Sequence, residues 1–327
     1  MELVANNFIS DQIVDKNEVV NPATSSFIEA NTQKVTLEHL KKECIIPVFS
    51  KDNETTISHY QFINQAFDVV KDLFPQLTPI EPEIRVSHIV KGRIPSAIGK
   101  PAKELLEHEK TLYYERCAFL IEMPSSKVII NGNPLNLSIG GVRAYNQENL
   151  YSKKTIEKFK VFIGYNNKVC TNLSISTDGF TNEIRISSIE ELGSKMEELF
   201  LNYNREQHLN VMEQMNNYSL TQEQFAHFIG KARMFNHLEK SEQKQIFPLA
   251  LNDGQLNTVV KDYFTCPNFK RDDDGSINLW NLYNLFTEAN KSSYIDSNLE
   301  RNVNTYEFIN MLGNSLQNNT TNWFLNN

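Results

Sequence analysis

A chain of 327 residues, 40% hydrophobic and 22% charged, is long enough to bury a sizeable core in one large or two smaller domains. This composition excludes collagen-like repeats and bulk disorder. Lys and Arg number 32 against 40 Asp and Glu, a net charge of −8. No apolar run approaches the ~20 residues of a membrane-spanning helix. The first thirty residues carry Asp11, Asp15 and Glu18 and lack a signal-peptide pattern. Cys44, Cys117, Cys170 and Cys266 are far apart, with no CxxC pair. That spacing predicts a reduced, cytoplasmic protein with buried thiols rather than a disulfide framework or a zinc site.

Residues 1–35 are rich in Asn, Ser and Thr and show no sustained period, which predicts an extended N-terminal segment. Thr36 to Glu43 predicts a short helix and Ile45 to Phe49 a strand. Ser58 with Gln61 is a capping-box pattern. Phe62, Ile63, Ala66, Phe67, Val70, Leu73 and Phe74 then repeat at three and four, predicting a helix that Pro75 and Pro79 end.

From Ile84 to Ile186 the runs are β-branched and aromatic: Ile84–Val90, Thr111–Met123, Lys127–Ile130, Leu135–Tyr145, Phe159–Tyr165, Lys168–Ser176 and Glu183–Ile186. Asn131-Gly132, Asn166-Asn167 and Asp178-Gly179 supply turn signals between them. Connections this short favour antiparallel pairing. Gly140-Gly141 inside an alternating run predicts a bulge or a close backbone approach.

After residue 188 the period becomes helical. One long helix is predicted from Leu192 to Met215, and a second after the capping box Thr221/Gln224. Asp253 and Ser276 are read as caps of two more, and Arg301 to Leu316 as the last. The Asn-rich tail 317–327 should fray, with Trp323 and Phe324 able to dock. The expected fold class is α+β: a mostly antiparallel sheet with packed helices over 36–187, then a helical region over 188–316.

Several motifs fail on inspection. Gly92 to Pro101 resembles a phosphate loop, but six residues separate its glycines and Pro101 stands where the magnesium-binding hydroxyl belongs. Asp272-Asp273-Asp274-Gly275 resembles a calcium loop, but Lys270 falls at its first ligand and Asn281 at its twelfth. No HExxH, GxSxG or Cys-His arrangement is present, so no catalytic residue, metal or cofactor is assigned.

Charge distribution is more informative. Ile84 to Cys170 holds 14 Lys and Arg against 7 Glu, a local +7, while the remainder is strongly acidic. Cations interleaved with aromatics are how many sheets hold single-stranded nucleic acid. The candidate contacts are Lys91, Arg93, Lys100, Lys103, Arg143, Lys153, Lys154, Lys158, Lys160 and Lys168 for phosphate, with Tyr145 and Tyr151 for stacking. The competing reading is internal pairing of the basic and acidic halves, or pairing between neighbours in a homo-oligomer.

Several segments carry a resemblance: His88 to Pro95, Glu109 to Arg116, Gly140 to Asn146, Lys158 to Gly164, Val169 to Leu173 followed by Asp178-Gly179, and Leu279 to Asp296. Together they resemble an uncharacterised Bacteroides-type family, a domain of unknown function. More distantly, Cys170-Thr171-Asn172 and the Trp280-x-x-Tyr283-Asn284 helix are similar to the phage/plasmid-like protein family. The resemblance implies an intracellular bacterial protein carried on plasmids, conjugative elements or phages; with the local +7 charge, it leads to the expectation of a mobile-element accessory protein that binds single-stranded DNA or a replication or recombination protein. It assigns no activity. Within it, Ser292 or Ser293 is read as a cap of the next turn or a ligand contact.

Overall fold

The computed structural model describes residues 26–44, 57–145 and 157–325. The strand expected at Ile45–Phe49 and most of the extended N-terminal segment lie outside these residues. The described chain is α+β. A twisted antiparallel sheet runs in the order β1 (Gln33–Val35), β2 (Glu83–Val86), β5 (Arg116–Ile130), β6 (Asn133–Ala144), β7 (Glu157–Asn167). The far side of β7 is shared by β8 (Asn172–Ser174) at one end and β9 (Phe180–Ile186) at the other.

The hairpin β5–β6 turns where the sequence places it. Asn131 and Gly132 both take positive φ, 48° and 78°, the pair of left-handed residues a two-residue hairpin demands. Asn166-Asn167 is not a turn: both residues pair within β7, and the chain reverses later, at Thr171, whose φ is +56°. Gly140-Gly141 is a close approach, not a bulge. A Cβ on Gly141 would lie 2.6 Å from Phe62 Cζ and 2.6 Å from the Lys160 carbonyl oxygen.

Both faces of the sheet are covered. On one, α2 (His59–Leu73), which follows the expected short helix α1 (Leu37–Lys42), packs with Phe62 edge-on to Phe119 and Phe159, beside α3 (Ile189–Asn202). Ser58 and Gln61 close the capping box at the start of α2. On the other face, Phe27 and Ile28 join Ile295, Leu299 and Val303 over Ala118, Leu120, Val142 and Phe162. Those three residues belong to the last helix, α9 (Ile295–Asn318). It starts six residues before the expected Arg301.

The expected long helix at 192–215 is two helices. It breaks at Tyr203-Asn204, where Asn204 caps α4 (Arg205–Gln214) and its amide donates to Asp178 at 2.7 Å. Asn competes for backbone hydrogen bonds and so favours a cap over a helix interior. The second capping box, Thr221/Gln224, opens α5 (Gln222–Met234). After the short α6 (Lys240–Gln243) come α7 (Asp253–Thr265), capped by Asn252 rather than Asp253, and α8 (Leu279–Asn290), capped by Asn278 rather than Ser276. Phe324 docks fully, edge-on to Phe308 at 4.8 Å. Among the described residues, no helix is long and apolar enough to cross a membrane.

The hairpin β2–β5 does not end with the sheet. Val86 faces Cys117, and after a short interruption Ile89 faces Tyr114 in unbroken register. The continuation is a separate two-stranded ribbon, β3 (Ile89–Arg93) with β4 (Lys110–Tyr114), whose tip spans residues 94–109. It runs past the end of the main sheet, where Arg116 makes the last pair with Ala144.

A substitution Gly141→Ala is expected to lower stability by about 1–3 kcal/mol, because neither the Lys160 carbonyl nor the packed Phe62 ring can move aside freely. Denaturant unfolding measures it; an unchanged midpoint would contradict the packing described.

Candidate functional site

The strand-borne cations expected to face solvent are largely matched inside the chain. Lys160 Nζ lies 2.8 Å from Glu300 and donates to the Asp296 carbonyl at 2.6 Å, both on α9. Arg116 pairs with Asp296 at 2.6 Å and with Glu115 at 2.9 Å. Lys168 meets Glu122 at 2.8 Å and Lys158 meets Glu183 at 2.7 Å. Lys158, with Arg185 second, pulls the Glu183 carboxyl down to about 2.

Arg143 and Tyr145 correct the sequence reading outright, since neither faces solvent: each is 1% exposed. Strand alternation turns both toward α2, the same side as Gly141. The Arg143 guanidinium sits 4.2 Å from the Phe159 ring centroid and 4.7 Å from that of Tyr145, and pairs with Glu157 at 2.8 Å. The Tyr145 hydroxyl accepts from the amide of His59 at 3.0 Å. A phosphate or a base cannot reach either group. Tyr151, Lys153 and Lys154 lie outside the described residues.

The remaining candidates sit on the β3–β4 arm. Lys100 pairs with Glu109, and Arg93 donates to the carbonyl of Lys100. Lys91 and Lys103 are exposed. Among the described residues, Lys91, Arg93 and Lys103 have no carboxylate partner. The arm also exposes aliphatic side chains that sequence reasoning did not single out: Ile98 at 66%, Leu106 at 56% and Ile89 at 40%. The punctuation Pro95, Gly99, Pro101 marked this stretch as a loop, and a loop has no period from which exposure can be read. At its base the arm is anchored by Tyr113, which meets Tyr145 edge-on at 6.1 Å, with Val90 beside them.

Two of the segments that carry the family resemblance, Val169 to Leu173 and Leu279 to Asp296, meet at the joint between sheet and helices, whereas His88 to Pro95 and Glu109 to Arg116 form the arm itself. Lys291, 2% exposed, donates from Nζ to the Cys170 carbonyl and, at 2.8 Å, to Glu288. Asn172 Nδ2 reaches the Asn284 carbonyl at 3.0 Å, and Asn167 Nδ2 the Asn284 Oδ1 at 2.9 Å. Next to them, Ser174 Oγ lies 3.0 Å from His208 Nε2 and accepts from the Tyr283 hydroxyl at 2.8 Å, while the Tyr203 hydroxyl is 2.7 Å from His208 Nδ1. This resembles a nucleophile–base relay in distance only. Ser174 and His208 are 4% and 1% exposed, so no substrate reaches them. Burial drives the His208 imidazole down to about 3 and holds it neutral.

Neither Ser292 nor Ser293 caps α9, whose N-cap is Tyr294. Ser293 Oγ instead donates to Asn290 at 2.7 Å and accepts from Gln255 and Arg301 at 2.8 Å each. Burial pushes the thiols of Cys44 and Cys170 up to about 11 and that of Cys117 further, which keeps them unreactive. No group of three or more His, Cys, Asp or Glu among the described residues is arranged to hold a metal ion.

The family model for a domain of unknown function, "B. Theta Gene description" (DUF3871), matches residues 8–325. The chain belongs to that family. No curated protein and no solved structure matches it. Membership thus spans the sheet, the arm and the helical region together.

His59, like His208, is buried and held neutral, with its imidazole lowered to about 3 by burial first and Arg143 second. In the unfolded chain both protonate near the ordinary value of about 6.5, so that state gains protons first as pH falls. Stability should be full above pH 6.5 and drop toward pH 5, on the order of 1–2 kcal/mol per histidine. Denaturant unfolding at both pH values tests this. A His208→Gln variant should show the smaller drop, and equal stability of the parent at pH 6.5 and pH 5 would refute it.

Proposed function

We propose that this chain is a self-associating binding module whose contact element is the β3–β4 arm, rather than an enzyme. The observation that carries this is the arm itself: a ribbon in continuous register with β2 and β5 that leaves the body and exposes Ile98 and Leu106 beside Lys91 and Lys103. Burying aliphatic surface is the main driving force for association, at roughly 25 cal/mol per Å² removed from water. In the setting that the sequence resemblance implies, a mobile element, such a module serves as an accessory protein.

Sedimentation velocity of the full chain at micromolar concentration is expected to show an assembly larger than the monomer. The double variant Ile98→Glu and Leu106→Glu changes only exposed positions and is expected to sediment as a monomer with an unaltered circular dichroism spectrum. A parent that stays monomeric at every concentration ends the reading.

A second reading, contact with a nucleic-acid backbone, is favoured by one observation: Lys91, Arg93 and Lys103 lack carboxylate partners among the described residues. Three phosphate contacts to a single strand predict a salt slope of about −2 in log–log form. Fluorescence anisotropy with a labelled oligonucleotide in low and high salt measures it. Binding at low salt that Lys91→Glu with Lys103→Glu abolishes supports it; no binding by micromolar protein in low salt rules it out.

A further inference from the structure

The self-association reading leaves open where on the next copy the arm lands. We infer that the arm of one copy docks along the outer edge of β9 and the adjoining face of α3 in a second copy, forming a head-to-tail contact. The inference rests on the self-association reading and adds the acceptor.

An acceptor for this arm must offer three things: apolar surface for Ile98 and Leu106, acidic side chains for Lys91 and Lys103, and unpaired backbone for an exposed ribbon edge. The β9–α3 region holds all three. β9 pairs with β7 on one side, and among the described residues no strand pairs with its other side. Unpaired edge N–H and C=O groups of this kind are the usual template for an added strand. Beside that edge lies a groove of about 490 Å³ whose apolar wall is the half-buried Phe180, with Ile184 and Leu199 buried beneath it.

Charge complements shape. Residues 178–202 hold six carboxylates (Asp178, Glu183, Glu190, Glu191, Glu197, Glu198) against Arg185 and Lys195, a net −4. The arm, residues 88–114, holds five cations against Glu104, Glu107 and Glu109, a net +2. Arg185 and Lys195 are tied to Glu183 and Glu198 at 3.0 and 2.8 Å. Glu197 is exposed, and no ion pair to it is present among the described residues.

A copy cannot satisfy its own acceptor. The arm continues β2 and β5, whereas β9 lies three strand steps beyond β5, about 14 Å across the sheet at 4.7–4.9 Å per step. Donor and acceptor are different surfaces, set apart across the sheet. The contact therefore either closes reciprocally, each copy's arm on the other's β9, or propagates into a ring or a filament.

Charge reversal on the full chain decides the matter. Glu197→Lys with Glu198→Lys, and separately Lys91→Glu with Lys103→Glu, should each weaken association at least tenfold in sedimentation velocity. The chain carrying all four changes should recover to within about threefold of the parent, because each reversed patch meets its reversed partner. All four positions are exposed, so circular dichroism should be unchanged. An α3 variant that associates like the parent, while Ile98→Glu/Leu106→Glu is monomeric, overturns this acceptor and leaves self-association standing. A fourfold variant that fails to recover also overturns it. A parent that never associates removes the underlying reading instead.

Discussion

The β5–β6–β7 ladder is covered by α2 and α3 on one face and by α9 on the other, so charged side chains on it must find partners within the molecule. Desolvating a charge without compensation costs several kcal/mol, and a buried cation survives only when paired and hydrogen-bonded. Arg143, between Phe159 and Tyr145 with Glu157 at its Nη2, is the extreme case. Lys160 with Glu300 and Arg116 with Asp296 are milder versions at the sheet–α9 seam. Part of the +7 stretch is neutralised by the last helix, through Lys160 and Arg116, and part by carboxylates of the stretch itself, Glu122 and Glu157 among them.

The same constraint accounts for the polar joint between sheet and helices. His208, Ser174 and Tyr283 are satisfied by one another in the interior, and a few residues away the buried Lys291 is matched by the Cys170 carbonyl and the half-buried Glu288. Two of the segments that carry the family resemblance, Val169 to Leu173 and Leu279 to Asp296, meet at this joint. Their hydrogen bonds hold the helical half against the sheet.

What remains outward-facing is the arm. A ribbon that leaves its sheet loses the burial that would hide its aliphatic residues, and its base depends on Tyr113, Tyr145 and Val90. The arm is thus joined mechanically to the buried Arg143 cluster, through Tyr145, while its tip is free for a partner.

Local features were legible in the sequence because local physics decides them. The capping boxes at Ser58 and Thr221, the Asn131-Gly132 hairpin, the antiparallel runs and the apolar stripe of α2 each depend on residues within a turn or two. Three things were not legible, and each is a matter of direction or distance. Periodicity alone did not tell which face of β6 carries Arg143, because a strand buried on both faces shows no polar side. The pairing of Lys160 with Glu300 joins residues 140 positions apart. The separation of β3–β4 from β2–β5 rests on a brief interruption at residues 87–88 and 115, which no composition signal marks. The amino-acid order determined the class of fold and the amount of charge; only the folded chain decided which charges neutralise each other and which remain for a partner.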